Sequence, residues 1–109
     1  MELRPPSYYA LAALIDGPLH GYAIVRRAHE LSDGTVRLST GTLYALLERA
    51  LKEDLVIAGE PYTESGRTRR DYTLTEAGRE ALRAEAERLT RAAAAVTGRL
   101  GPARGAIAW

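Results

Sequence analysis

Hydroxyl-bearing side chains surround a glycine in the short segment that begins at Ser39. Ser39, Thr40, Thr42 and Tyr44 each carry a hydroxyl group, and Gly41 lies between them. Hydroxyl groups donate hydrogen bonds to phosphate oxygens and to base edges, and a glycine allows the backbone to be approached closely. These residue types predict a surface that can contact the phosphates and bases of a nucleic acid.

Three arginines, Arg67, Arg69 and Arg70, lie within four residues of one another. Arginine suits bidentate contacts with phosphate groups. The chain has fourteen arginines and one lysine, a ratio that a biased genomic base composition explains equally well. The formal net charge is only +1, so the chain lacks the strongly basic balance of many nucleic-acid-binding proteins. Net charge alone therefore does not identify the partner.

Several classes of chemistry lack the residues that they require. The chain contains no cysteine, which excludes disulfides, thiolate zinc sites and cysteine nucleophiles. Its two histidines, His20 and His29, are nine residues apart and have no acidic residue at a recurring metal-ligand spacing. A glycine-rich phosphate loop and a nucleophile with a partnered base are also missing from the sequence. We therefore predict no enzyme activity, no metal and no cofactor, and we interpret His20 as a structural residue at the start of a helix.

Helical spacing of apolar residues predicts three short helices before the arginine cluster. The 109 residues fit a single domain. Helices are predicted over residues 8–16, with Ser7 as the N-cap, over residues 21–32, and over residues 40–53, with Ser39 as the N-cap.

The third predicted helix presents a polar face. Its opposite, apolar face has the i, i+3, i+4 spacing of an amphipathic helix and consists of Leu43, Leu46, Leu47, Ala50 and Leu51. The polar face holds Gly41 and Arg49, with Thr42 and Tyr44 on its flanks. The hydroxyl cluster is therefore expected to point away from the core.

A hairpin and a long helix are predicted to follow. Residues 55–74 fit two strands joined by a long polar hairpin, whereas Val36–Leu38 is at most a stub of strand. The last helix begins after Thr75, and its apolar residues recur at spacings of four and three, which form a heptad seam. This seam consists of Leu82, Ala86, Leu89, Ala93, Val96 and Leu100. It predicts a homodimer interface, with packing against the helix's own domain as the alternative.

The order of these elements predicts a winged helix-turn-helix, a mainly α fold with a small β-hairpin. We expect a winged-helix DNA-binding domain over residues 1–75, a C-terminal dimerisation helix over residues 76–100 and a tail over residues 101–109. Such a module places its third helix in the major groove of duplex DNA, and its hairpin reaches an adjacent groove or the backbone.

Four motifs lie along residues 8–82. They are Leu19-His20-Gly21-Tyr22, Ser39-Thr40-Gly41-Thr42-Leu43-Tyr44, Leu47-Glu48-Arg49 leading to Leu55-Val56, and Arg69-Arg70-Asp71-Tyr72-Thr73-Leu74-Thr75-Glu76-Ala77-Gly78. Together they resemble the PadR family of bacterial winged-helix transcriptional regulators. The single helix after the wing is similar to the smaller PadR-like subgroup, in which that helix pairs with its counterpart in a two-fold dimer. The resemblance implies a homodimeric repressor, and several such repressors release DNA when a small, often aromatic effector binds.

The resemblance also implies a set of DNA contacts on double-stranded DNA with an inverted-repeat operator. With Thr40 and Arg49 added from the third helix, the expected DNA-binding residues are Tyr22, Ser39, Thr40, Gly41, Thr42, Tyr44, Arg49, Arg67, Arg69 and Arg70. Without the resemblance, the favoured interpretation of Tyr22 and Tyr44 is that their rings close the edge of the core.

Two positions depart from the family pattern. The family usually has proline where Thr40 stands and glycine where Asp54 ends the third helix. Loss of the proline removes a residue that is shaped for the first helical turn and adds a hydroxyl that can contact DNA. Aspartate adopts a left-handed turn less readily than glycine, so we expect a small loss of stability and no change of fold.

Aromatic residues near both ends of the chain are candidates for an effector pocket at the dimer interface: Tyr8, Tyr9 and Trp109. For the two tyrosines, packing in the core is the alternative. The longest apolar stretch, Tyr8–Ile15, is far shorter than the roughly 20 residues of a membrane span, and the N-terminus lacks an export-signal pattern. We therefore expect a cytoplasmic protein with no membrane partner. The alternative function is a winged helix used for protein association without operator binding.

Overall fold

Four α-helices and five short β-strands form the fold over residues 1–101, which are the residues that this computed structural model describes. In chain order they are α1 (Pro5–Ala12), β1 (Leu19–His20), α2 (Gly21–Leu31), α3 (Thr40–Lys52), β2 (Val56–Ala58), β3 (Tyr62–Glu64), β4 (Arg67–Arg69), β5 (Asp71–Leu74) and α4 (Glu76–Leu100). The predicted winged helix-turn-helix, mainly α with a small β component, is confirmed. Trp109 and the rest of the predicted tail after Gly101 lie outside the described residues.

The hydrophobic core forms where α1, α2 and α3 meet the strands. Its largest fully buried side chains are Leu11, Leu14, Ile24, Leu47 and Val56. The apolar stripe of α3 is buried as predicted, apart from Leu51, which is only half-buried. Full burial of one such side chain contributes about 1.5–3 kcal/mol, so this stripe fixes α3 against the core and leaves its opposite face in solvent.

The first helix begins and ends earlier than the sequence predicts. It starts at Pro5 with Arg4 as the N-cap, so the prediction of Ser7 as the cap is wrong. A proline at the first helical position has a suitable φ angle, and its missing N–H would have had no helical acceptor there. The helix ends at Ala12, because the chain then turns toward Gly17, whose φ is 146°.

Side-chain caps fix the starts of the other helices. The Nδ1 atom of His20 accepts a hydrogen bond from the backbone N–H of Ala23 at 3.2 Å, which caps α2 and confirms the structural interpretation of His20. Ser39 caps α3, as predicted, by accepting a hydrogen bond from the N–H of Thr42 at 3.1 Å. These caps satisfy backbone donors that have no partner within the helix.

The predicted single hairpin is wrong in detail, because the chain forms two separate sheets. The first, which we call the base sheet, has the antiparallel strand order β1-β5-β2. The second, the tip sheet, pairs β3 with β4. The chain leaves the strand conformation at Gly59–Pro61, between β2 and β3, and at Arg70, between β4 and β5. Pro61 has no N–H to donate to a ladder of hydrogen bonds. Val36–Leu38 forms no strand, although Val36 and Leu38 are buried.

The junction between α3, the base sheet and α4 is tight. Asp54 follows α3 with φ 57°, the left-handed conformation that was expected at this position. Its carbonyl oxygen accepts a hydrogen bond from Thr75 Oγ1 at 2.6 Å, and the same Thr75 oxygen accepts one from the N–H of Gly78 at 3.0 Å. One threonine therefore caps α4 and ties its start to the end of α3.

Only the beginning of α4 belongs to the core. Gly78 and Leu82 are buried, whereas all residues from 87 to 101 are exposed. Leu82 therefore packs inside its own chain and is not available to a second copy, unlike Leu89, Val96 and Leu100, which are 40%, 55% and 81% exposed. At 1.5 Å per residue, α4 is roughly 37 Å long, so about half of it extends beyond the body of the protein. Within residues 1–101, no helix has both the length and the apolar character needed to cross a membrane.

Candidate nucleic-acid interface

The start of α2, the exposed face of α3 and the tip sheet surround one open groove with a volume of about 380 Å³. It is lined by His20, Gly21, Tyr22, Tyr44, Pro61, Arg67, Thr68, Arg69, Arg70 and Tyr72. The structure therefore brings five of the predicted DNA-binding residues to one groove. Ser39, Thr40, Gly41 and Thr42 are exposed at the adjoining end of α3, and Arg49 is exposed farther along the same helix.

The hydroxyl groups at the start of α3 are not equivalent. Ser39 Oγ accepts from the backbone of Thr42 and donates its proton to Thr42 Oγ1 at 3.0 Å. The proton of the Ser39 hydroxyl is therefore used within the first turn of α3. Since Thr42 Oγ1 acts only as an acceptor in this pair, its own proton remains available for a phosphate or base oxygen. Thr42 thus combines a fixed position with a free donor.

Gly41 leaves the first turn of α3 accessible. Apart from its chain neighbours and the backbone of its own helix, no atom of the described residues lies within 4 Å of the position that a Cβ on Gly41 would occupy. The glycine is therefore not needed for packing within the chain. Backbone N–H groups at the start of a helix attract anions, and the absence of a side chain here lets a large partner approach them.

Two of the three tyrosines that line the groove are largely exposed, Tyr22 by 62% and Tyr44 by 50%, whereas Tyr72 is buried. Neither Tyr22 nor Tyr44 is enclosed in the core, which favours the interpretation of these rings as contact residues. A Cβ on Gly21 would lie 2.9 Å from the Tyr44 Oη atom, so the hydroxyl of Tyr44 rests against the start of α2. Gly21 in the predicted motif therefore makes room for Tyr44.

The tip sheet is held to the base sheet by polar side chains. The Oη atom of Tyr62 donates a hydrogen bond to Asp71 Oδ1 at 2.7 Å, and this bond to a carboxylate raises the pKa of Tyr62. Burial raises the pKa of Tyr72, which follows Asp71 in β5. Arg67 and Arg70 are exposed, whereas Arg69 is half-buried. The three arginines that the sequence groups together therefore have different environments.

Two residues of this surface were missed by the sequence analysis. The guanidinium of Arg26 lies 5.7 Å from the centre of the Tyr22 ring, at the distance of a cation–π contact. Thr68 lines the groove between two of the predicted arginines. The spacing of four residues between Tyr22 and Arg26 on one helix was the signal that could have identified the first. Thr68 had no comparable signal.

A second cavity of about 620 Å³ lies between the N-terminal segment and α4, away from the groove. Its lining includes Tyr8 and Tyr9, whose rings meet edge to face with centroids 5.3 Å apart. It also includes Glu85 and Arg88, and the hydrogen bonds from Arg88 lower the pKa of Glu85. The two predicted pocket tyrosines are therefore brought to one cavity, whereas the third predicted residue, Trp109, lies outside the described residues.

Comparison with protein families gives a single assignment for most of the chain. The model of the transcriptional regulator PadR-like family matches residues 10–84. The chain belongs to this family. The PadR-like resemblance seen in the sequence motifs is thereby confirmed, and the function of the family is transcriptional regulation and not enzyme catalysis.

Individual relatives agree with the PadR-like assignment. A transcriptional regulator of Mycobacterium tuberculosis is 39% identical over 83 residues, which are 76% of this chain and 74% of the relative. An uncharacterized protein in a transposon of Streptomyces fradiae is 44% identical over 91 residues, which are 84% of this chain. The aligned region spans only 25% of that relative, so the chain matches about a quarter of the relative's length.

A solved structure has the same PadR fold. The crystal structure of Bacillus subtilis PadR in complex with operator DNA matches with a TM-score of 0.63 and 23% sequence identity. The match covers 73% of this chain and 46% of the Bacillus protein. At this level of identity the comparison establishes the fold alone.

Proposed function

We propose that this PadR-like chain is a repressor that binds an inverted-repeat operator as a homodimer, with α3 in the major groove. The observation that carries the proposal is the exposed start of α3, where Gly41 and the unused hydroxyl proton of Thr42 lie beside the groove formed with the tip sheet. Small side chains and hydroxyl donors at this end suit contact with phosphates and base edges. The Bacillus subtilis protein with the same fold in complex with operator DNA supports this choice of partner.

The charge distribution supports a local electrostatic contribution to DNA binding. The net charge is +1, which gives little long-range attraction to DNA. The exposed Arg67 and Arg70 flank the groove and would contact phosphates there, together with Arg26 beside Tyr22. Binding to DNA of unrelated sequence is then modest, and the salt dependence is set by a few arginines.

The dimer is proposed from the exposed half of α4. Leu89, Ala93, Val96 and Leu100 follow the heptad spacing and are exposed, so a second copy could cover them in a two-fold contact. Ala86 is half-buried and lies at the edge of this seam. A two-fold dimer can place two recognition helices about 34 Å apart, one turn of B-DNA, which suits an inverted repeat.

Release of DNA by a small effector is proposed for the cavity that holds Tyr8 and Tyr9. The cavity combines aromatic rings with Arg4, Arg88 and Leu89, a lining that suits a planar aromatic compound with a polar group. Leu89 also belongs to the proposed dimer seam, so a ligand there would act on the spacing of the two α3 helices. A panel of planar aromatic acids and amines, assayed by thermal shift and by operator release, tests this. Compounds that raise the melting temperature but leave operator affinity unchanged would refute it.

The central test removes single hydroxyl groups from the proposed DNA surface. Thr42→Val and Tyr44→Phe should each weaken binding to an operator selected from random duplex oligonucleotides by about 5- to 10-fold, since removal of a hydrogen bond costs about 1–1.5 kcal/mol. Thr90→Val is the matched control, because the Thr90 hydroxyl bonds only to the Ala86 carbonyl of its own helix. Affinity is measured by gel shift.

Sedimentation equilibrium on the same variants separates DNA binding from assembly. All three variants should remain dimers, because none of the substituted side chains belongs to the heptad seam. Operator affinity unchanged in Thr42→Val and Tyr44→Phe would contradict the proposal, as would equally tight binding of the wild type to every duplex sequence. Loss of a protein partner with unchanged DNA affinity would instead support the protein-association alternative.

A further inference from the structure

The side chain of Arg69 is enclosed between the tip sheet and the start of α2. It is only 19% exposed. Its Nη1 atom lies 3.0 Å from Nδ1 and 3.2 Å from Nε2 of His20. A point almost equally distant from both ring nitrogens cannot lie in the ring plane at this range, because the Cε1–H group would block it. The Nη1 end of the guanidinium therefore lies over the face of the imidazole.

The opposite side of the guanidinium faces a carboxylate. The Nε atom of Arg69 lies 3.2 Å from Glu64 Oε1, close enough for charge attraction. This nitrogen is buried but has no hydrogen-bond partner of acceptable direction among the described residues. Glu64 belongs to β3 and His20 to β1, so Arg69 on β4 connects the tip sheet to the base sheet and to α2.

His20 is itself held in place by two elements. Its Nδ1 atom accepts the hydrogen bond that caps α2, and its backbone pairs with Asp71 in the β1–β5 ladder. An accepting Nδ1 requires the neutral imidazole with its proton on Nε2. The ring is thus a fixed platform, and a group stacked on it takes a fixed position relative to α2.

We propose that Arg69 is a positioning residue of the wing and not a phosphate ligand: it sets the angle of the tip sheet, so that Arg67 and Arg70 reach the DNA. The part of this inference that concerns contact with DNA rests on the proposed function. Arg67 and Arg70 are exposed and pair with no carboxylate of residues 1–101, whereas Arg69 already contacts His20 and Glu64.

The salt dependence of operator affinity distinguishes the two roles. Each phosphate that a cationic side chain neutralises adds about 0.9 to the slope of log K against log salt concentration. Arg70→Met should lower both the affinity and the slope, the latter by about 0.9 for each phosphate that Arg70 neutralises. Arg69→Met, the same substitution one residue earlier, should lower the affinity by about tenfold, and it should lower the slope only through the lost contacts of Arg67 and Arg70. In a background that lacks both of these side chains (Arg67→Met with Arg70→Met), adding Arg69→Met should therefore leave the slope unchanged, whereas loss of a direct phosphate contact would lower it by about 0.9 more. That further decrease would overturn the proposal.

Hydrogen exchange in the DNA-free protein gives a readout that does not depend on operator binding. Arg69→Met should speed exchange of the backbone N–H groups that pair β3 with β4, because the tip sheet loses its attachment. Arg70→Met should leave these rates at the wild-type level. If the wild type binds no operator, the hydrogen-exchange measurement still tests the positioning role of Arg69. Failure of the proposed function and failure of this inference are therefore distinguishable.

Substitution of the other partner guards against a variant that fails to fold. His20→Asn keeps a good N-cap for α2 but removes the ring on which Arg69 stacks. It should reproduce the faster tip-sheet exchange of Arg69→Met, and it should likewise leave the salt slope unchanged in the background that lacks Arg67 and Arg70. The double variant should be no worse than either single variant, since both remove one interaction. Fully additive effects of the two substitutions would contradict the proposed contact.

Discussion

Replacing Gly78 by alanine should lower the free energy of unfolding by about 3 kcal/mol, the range seen when a close-packed site is overfilled. A Cβ on Gly78 would overlap the backbone carbonyl oxygen of Leu55 and lie 2.6 Å from Leu74 Cδ1. The carbonyl cannot move freely, because the same Leu55 oxygen accepts a hydrogen bond from the N–H of Thr75 at 3.0 Å. The added methyl group therefore forces α4 away from the base sheet.

Urea denaturation followed by circular dichroism measures this change. Gly98→Ala is the matched control, because a Cβ at Gly98 would have no atom of the described residues within 4 Å apart from its chain neighbours and the backbone of its own helix. In that exposed helical position, alanine should be neutral or stabilising by up to about 1 kcal/mol. Equal stability of Gly78→Ala and the wild type would mean that α4 does not pack on Leu55 as described.

Gly41→Glu should abolish operator binding while leaving the fold intact. The position has free space in the isolated chain, and a carboxylate in the first turn of α3 interacts favourably with the helix dipole. Stability should therefore be equal to or slightly above that of the wild type. On DNA the same carboxylate meets phosphates, and like charges in contact cost several kcal/mol. We expect operator affinity to fall at least about 100-fold, which corresponds to about 2.7 kcal/mol.

The control for Gly41→Glu is Gly98→Glu, which makes the same change of charge on α4. It should leave operator affinity within about twofold of the wild type, since the screening length at physiological salt is only about 8 Å. Gel shift and thermal denaturation are run on both variants. Retention of operator affinity in folded Gly41→Glu would contradict the placement of α3 in the major groove.

A helix could be predicted well where its apolar side chains recur with the helical period and a polar side chain caps its first turn. Ser39 and the stripe that includes Leu43 and Leu47 fixed α3 almost to the residue. The start of α1 was missed because the prediction relied on Ser7 as a capping side chain, whereas Pro5 starts the helix through its backbone geometry.

The strands were harder to predict because they are too short to show a clear alternation of apolar and polar residues. The two-residue β1 contains no repeat, and it exists only because His20 pairs with Asp71 across the base sheet. The same long-range pairing brings His20 under Arg69. The sequence therefore indicated which residue types line the site, but not that one of the three arginines is enclosed, since that depends on strand register.

The extended half of α4 would tie the folding of the proposed dimer to its concentration. The helix is exposed from residue 87 onward, and a segment of that length is only marginally helical by itself in water. In the proposed dimer, order in this segment depends on an encounter with a second molecule, as it does in obligate dimers. On dilution, a dimer of this kind would lose the end of its longest helix and the pairing of its two recognition surfaces together, so the abundance of the protein would set both its stability and its occupancy of DNA.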